Sequence, residues 1–537
     1  MDAERACPAE SVTRRRLAVI AGCAVSLVGL FVYALASGNR VYVQTGDSYP
    51  GLATAAAELL GYFLAGLSGA VTLGGLLFVV VTALPDDRGV IDRTTFRTHV
   101  LVECVAPVWV AAAVAMVVIQ ASSDSGAPLT RLLASGGIVD AVLASQMARA
   151  WIVVSLIAIG VATIVRLSLR WATHVMLLVP AAIGVVAVPV NGNAGQGPDH
   201  DYATSAAIVF ACLLAVWVGV VIAAAINPAG KAATQRVLVI EVAAGFATLA
   251  YGAVLLGLLA GSDLVGSGYG RAGGVATILI LGTWVGQLRT LKSHRPVRSR
   301  LIPAFWAVAM TVALALVATM ATQVPPRFLV HQFTTWDVFL GYTLPDPPTV
   351  VRILEAWRFD VFIGCGAVAL ALAYLAGYFR LRRRGDHWSV GRLAAWLAGC
   401  VMLLFISSSG VKAYGSAMFS VHMAEHMTLN MGVPVLLVLG GPVTLALRAL
   451  PAAQQGQPPG PREWVMWLVH SKVTAVLSHP IVAFVLFVAS PYAVYFTPIF
   501  NTLVRYHWGH ELMSVHFLLV GYLFFWGIIG IDPGPRK

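Results

Sequence analysis

Charge is what this chain has least of. Asp, Glu, Lys and Arg make up 11% of its 537 residues while 58% are hydrophobic, and the mean hydropathy is +0.82. That balance excludes a soluble globular domain and leaves a polytopic membrane protein. Paired cysteines are lacking too. Cys7, Cys23, Cys104, Cys212, Cys365 and Cys400 contain no C-x-x-C spacing, so neither a disulfide framework nor a zinc ribbon is indicated, and they read as small core residues. Strands of about ten alternating residues are missing, which argues against a membrane barrel. There is no short-period repeat and no low-complexity tail. A cleavable leader pattern is absent as well: the first apolar run, Leu17 to Ala36, is long for a signal segment and continues into SGNRVYV, so a retained first helix is expected.

What is present is a series of apolar runs, each near the ~20 residues that span a bilayer. They lie near 17-36, 54-84, 98-121, 150-165, 171-190, 204-227, 237-261, 274-288, 301-322, 359-379, 393-410, 425-447, 473-497 and 512-530. The expected fold is an all-α integral membrane protein, a polytopic helical bundle of about 14 transmembrane helices in two domains. Arg14, Arg15 and Arg16 before the first span, the run from Arg289 to Arg300, and Arg380, Arg382, Arg383 and Arg384 place both termini in the cytoplasm by the positive-inside rule. The formal charge of +11 then follows from topology and anionic lipid, so the bilayer is a partner and nucleic acid need not be invoked. A proline-rich outer segment with Pro325, Pro326, Pro345, Pro347 and Pro348 divides the chain near residue 340. The expected parts are a membrane domain over 1–322, a linker loop over 323–357 and a second membrane domain over 358–537. Segment 122–147, with RLLASGGIVDAVLASQ, fits a short surface helix, and 448–471 a flexible connector.

Chemistry concentrates in FSVHMAEHMTLNM, Phe419 to Met431. His422 and His426 are four apart and share one helix face, while Met423, Met427 and Met431 form a stripe beside it. Imidazole and thioether donors suit Cu(I) far better than Mg or Ca. A second group, YHWGHELMSVH, carries His507, His510, Met513 and His516 at the start of the last span, on the same outer side by the expected topology. The competing reading is structural, with His capping or snorkelling and Met filling gaps. His479, directly before Pro480, is expected a few residues inside the thirteenth span at a proline kink, as either a packed residue or a relay site. Asp360 is expected to pair with Arg358. Glu58, Glu103, Glu241 and His174 read as interhelical hydrogen-bonding groups.

The segment from WRFD at 357–360 through YGSAMFSVHMAEHMTLNMGVPVLLVLGGPVTLALRAL and LSHPIVAF to HWGHELMSVHFLLVGYLFFWGIIGIDP resembles the CtaG-type cytochrome c oxidase assembly factors. By position the resemblance implicates His422, His426, His510 and His516 in supplying copper to a haem-copper oxidase. CtaG-type domains generally continue with one or two more helices beyond the IDP segment, so at Lys537 either the bundle is shortened or the sequence is truncated. NGNAGQGPDHDYATSAAIVFACLLAVWVGV, at 191–220, looks like the CopD family of copper-resistance membrane proteins. That family usually has a GH pair where this chain has Gly192-Asn193, and a histidine where it has Phe210, so His200 alone remains of the external histidines.

The resulting expectation is a multi-pass protein of a bacterial plasma membrane, not an enzyme, that binds Cu(I) outside and passes it to a cytochrome c oxidase subunit. Its expected metal ligands are His422, Met423, His426, Met427, His510 and His516, with His507, Met431, Met513, His479 and His200 as further candidates. Three rivals stand beside it: a copper transport or resistance permease carried by the first half, a redox protein holding haem between paired histidines, and a structural partner of the oxidase that holds no ligand.

Overall fold

The computed structural model describes residues 8–293, 301–345 and 347–534. Cys7, the end of the basic run at 294–300 and the chain end at Lys537 lie outside them. Among the described residues, 13 helices are long and apolar enough to cross a membrane, so this is an all-helical, multi-pass membrane protein. The expected thirteenth span is the exception. It breaks between a helix over Lys472–Leu477 and a second over Pro480–Tyr495, and the latter, at 16 residues, is shorter than the other spans. Proline has no N–H and its ring favours the first helical turn, so Pro480 opens a helix here instead of kinking one. His479 is therefore the exposed residue before the helix and not a group inside a span.

The chain forms two compact units: Met1–Gln196 with Ala206–Gln332 and Gly456–Pro458, and Gly197–Ser205 with Phe333–Gln455 and Pro459–Lys537. The first contains α1 (Pro8–Ser37), α2 (Leu52–Thr82), α3 (Arg93–Asp124), α4 (Gln146–Leu167), α5 (Trp171–Val186), most of α6 (His200–Ile226), α7 (Lys231–Ala260), α8 (Gly268–Ser293) and α9 (Ile302–Ala321). Helix α2 is the most enclosed, with 78% of its most apolar window buried. Small residues explain how: a Cβ on Gly219 of α6 would stand 1.9 Å from the Ala70 carbonyl oxygen of α2, so the two backbones touch. Trp217, Leu76, Val102 and Met310 fill the core around that contact. Segment 122–147 gives two short helices, Leu129–Ser135 and Ile138–Ala144, because Gly136 at φ +72° ends the first. Glu58 accepts from Gln120 and Ser123, and the rings of His99 and His174 bond each other at 3.0 Å, so these polar groups are satisfied within the bundle.

The second unit contains α10 (Ile363–Arg383), α11 (Val390–Ser408), α12 (Phe419–Ala449), α13 (Pro480–Tyr495) and α14 (His507–Ile529). Tyr374, Trp396, Cys400, Leu403, Val433 and Leu437 form its core. The basic residues Arg380, Arg382 and Arg383 occupy the last turn of α10. At that same end the Asp532 carboxylate accepts from the Val443 and Thr444 amides and the Thr444 hydroxyl, tying α12 to the chain beyond α14. The opposite end holds the first turns of α12 and α14, and with them the histidines.

Candidate metal centre

Helix α12 is not uniformly α-helical. Its first turns, Phe419–Met427, run into a π turn over Thr428–Gly432 before the α-helix resumes at Val433. Pro434 has no N–H to offer the Asn430 carbonyl, and α14 meets that carbonyl directly: a Cβ on Gly521 would lie 2.0 Å from the Asn430 oxygen. A π turn is a costly deviation that concentrates at functional sites. Here it brings α12 and α14 into backbone contact beneath their histidines.

Above the contact, His422, Glu425 and His426 share the buried face at 1%, 1% and 0% exposure, as i, i+3, i+4 spacing requires. The His422 and His426 rings are 4.1 Å apart, and His510 of α14 stands 5.5 Å from His422. One candidate ligand atom from each of His422, Glu425 and His426 lies within 4.8 Å of the others. Both ring nitrogens of His422 and Nε2 of His426 are buried without a hydrogen-bond partner, as are Glu511 Oε2, Asn430 Oδ1 and Ser514 Oγ, whereas Oε1 of Glu425 and of Glu511 have charged neighbours. Buried polar atoms are nearly always bonded, so a concentration of orphans at one place calls for an occupant. Two contacts set the imidazoles. His510 Nε2 donates to the Val504 carbonyl at 3.1 Å, which leaves Nδ1 as the bare nitrogen, and His426 Nδ1 bonds the Tyr495 hydroxyl at 2.8 Å.

Beside the histidines sits a buried charge cluster. Ser409 caps a short helix, Gly410–Gly415, and this sets Lys412 Nζ 3.4 Å from Glu425 Oε1 and 3.7 Å from Glu511 Oε1. Burial alone would push the Lys412 pKa down, but Glu425, Glu511 and Asp360 outweigh it and hold it above the usual lysine range. Asp360 is raised to about 7, by burial first and by the negative Glu511 second. It caps α10 by accepting from the Phe362 and Ile363 amides. Its expected partner Arg358 instead bonds Asp201 at 2.7 Å and Asp199 at 3.0 Å, while stacking over Tyr202 and Tyr342.

Of the residues expected as ligands, the structure brings together His422, His426 and His510. Met423 and Met427 are half-buried on the neighbouring face and Met431 is 45% exposed, because a stripe one residue off the histidines is turned by ~100°. His516 is exposed and bonds Ser490; six residues from His510, it points about 120° away. Met513 packs with Val494 and Phe517 in an apolar cluster. His507 lies 3.1 Å from both Glu511 and Ser205, and His200 faces it at 6.5 Å between ring centroids; both border the charge cluster. Sequence reasoning missed Glu425, Glu511, Lys412 and Tyr495. The first two adjoin His426 and His510 and were legible by admitting carboxylates to the same helix faces, whereas Lys412 and Tyr495 arrive through the fold alone.

Residues 372–537 match the family described as cytochrome c oxidase caa3 assembly factor (Caa3_CtaG), and they contain all three converging histidines. Along the whole chain, an uncharacterized protein of Mycobacterium bovis is 55% identical over 529 residues, 98% of this chain and 79% of the relative, and one of Mycobacterium tuberculosis matches equally. The chain belongs to the same family as these mycobacterial proteins. A further member, an uncharacterized protein of Mycobacterium leprae, is 52% identical over 530 residues, covering 98% of this chain and 80% of its own. No solved structure matches significantly. This chain thus joins a multi-pass membrane protein with a Caa3_CtaG assembly factor domain over residues 372–537. No match tests the CopD resemblance of the first half.

Proposed function

We propose that the second unit binds Cu(I) through His422 and His426, with His510 as a third nitrogen donor, and passes it to a cytochrome c oxidase subunit during assembly in a bacterial plasma membrane. The observation that carries this reading is the set of buried, unpartnered imidazole nitrogens at one point of a Caa3_CtaG domain. Metal–imidazole bonds run ~2.0 Å, so an ion held by two or three of them needs only side-chain rotation to close the observed separations. Nitrogen donors without a thiolate suit an ion that must leave again, and moving between two and three donors requires little reorganisation. The outer side is favoured because the histidines occupy the end of the unit opposite Arg380, Arg382 and Arg383.

The haem alternative fares worse, since rings 4.1 and 5.5 Å apart leave no slot for a macrocycle between them. A permease in the first unit finds little support in its cavity of ≈ 270 Å³, where Phe210 lines the wall and Met147 and Met320 supply the soft donors among the described residues. Metal analysis of purified protein under reducing conditions tests the copper reading. The wild type retains copper and the His422→Ala/His426→Ala variant loses it; equal copper in both refutes it.

A further inference from the structure

Lys412 is 6% exposed and its Nζ has no hydrogen-bond partner. It is held by charge, between Glu425 at 3.4 Å and Glu511 at 3.7 Å. Glu425 in turn has an oxygen within 4.8 Å of the His422 and His426 donor atoms. A His–Glu–His triad left to itself would favour divalent ions, because affinity among first-row metals peaks at Cu(II) and remains high for Zn(II). A site for Cu(I) therefore needs something that acts against a second positive charge, and the ammonium is placed to do so.

Resting on the copper reading above, we propose that Lys412 is a positioning residue that sets ion specificity: it engages the Glu425 carboxylate beside the imidazoles in an ion pair and leaves the centre to a monovalent soft ion. Two effects act together. The ion pair withholds the one carboxylate that would complete a divalent site. The ammonium also lies within roughly 10 Å of the donor nitrogens, the limit set by its 3.4 Å contact with Glu425 Oε1, the width of the carboxylate and the 4.8 Å span of the triad, and repels a dication twice as strongly as a monocation. At that limit and an effective dielectric near 20, the extra unit of charge is worth at least roughly 15-fold in affinity.

The test uses the full-length protein in detergent, with Cu(I) and Zn(II) affinities measured by competition against chromophoric chelators. Lys412→Gln should raise the ratio of Zn(II) to Cu(I) affinity by roughly 15-fold or more, and Lys412→Arg, which keeps the charge, should restore the wild-type ratio. An unchanged ratio in Lys412→Gln overturns the proposal. Infrared difference spectra of the wild type on loading with Cu(I) supply a second measurement that does not depend on that variant folding. The Glu425 carboxylate band, assigned with Glu425→Gln, should stay in place, and a shift to a metal-bound frequency overturns the proposal. A wild type that takes up Cu(I) with an unmoved ratio sinks this inference alone. A wild type that takes up neither ion sinks the copper reading with it.

Discussion

Replacing Gly521 by alanine should damage the metal centre without touching a ligand. The new Cβ would stand 2.0 Å from the Asn430 carbonyl oxygen and 2.8 Å from Pro434 Cγ. Neither neighbour is the end of a flexible side chain, so α12 and α14 must part by roughly 1 Å to restore ordinary contact. Overpacking of this kind costs about 1–3 kcal/mol, or about 3–10 °C in Tm for a unit of this size. The same displacement carries His510 away from His422 and His426, several times beyond the ~0.2 Å tolerance of metal–ligand distances, and copper affinity should fall by about tenfold or more. Gly527→Ala on the same helix is the control, since its nearest neighbour, the Ser478 carbonyl oxygen, is 3.7 Å away. Thermal unfolding in detergent and chelator competition read the two effects. A Gly521→Ala protein with wild-type Tm and copper affinity would refute the backbone-contact argument.

Further outcomes follow from other contacts. Tyr495→Phe removes the hydroxyl 2.8 Å from His426 Nδ1 and should weaken copper binding by about tenfold, as loss of a group orienting a ligand does, measured by the same competition. Met423→Leu and Met427→Leu should change copper affinity by less than about threefold, because both side chains lie off the histidine face; a larger loss would restore the thioether reading. Asp360, raised to about 7, favours the folded state most when protonated. Its contribution is fully present below about pH 4, the ordinary carboxylate range, and is lost as pH rises through about 7. Asp360→Asn should flatten the fall of Tm over that window; an unchanged slope contradicts the assignment.

Hydropathy alone located the membrane helices, because a span must satisfy its backbone internally and must be long enough to cross. It failed at 473–497, where Ser478, His479 and Pro480 break one apolar run into two helices that a composition window cannot separate. The candidate site was legible where side chains share a local face, as His422 and His426 do. A broad arc did not serve, as His516 shows, because six residues along a helix do not return to the same side. Lys412 and Tyr495 had no signal of their own, since an isolated lysine and one tyrosine among 15 gain meaning only from what folds against them. Arg358 illustrates the same limit: its neighbour in sequence was the obvious partner, yet its partners, Asp199 and Asp201, lie far away along the chain.

The π turn at Thr428–Gly432 also sets how the first turns of α12 are rotated relative to the segment that follows, Val433–Leu439. One extra residue per turn offsets the lower segment, with Val433 and Leu437 in the core, by ~100° from where an uninterrupted α-helix would set it. Losing a single residue from this turn would swing the imidazoles a quarter-circle off their partners while every side chain that forms the pocket stayed in the gene. Insertions and deletions in these five positions are therefore a more severe perturbation of the centre than most substitutions within it.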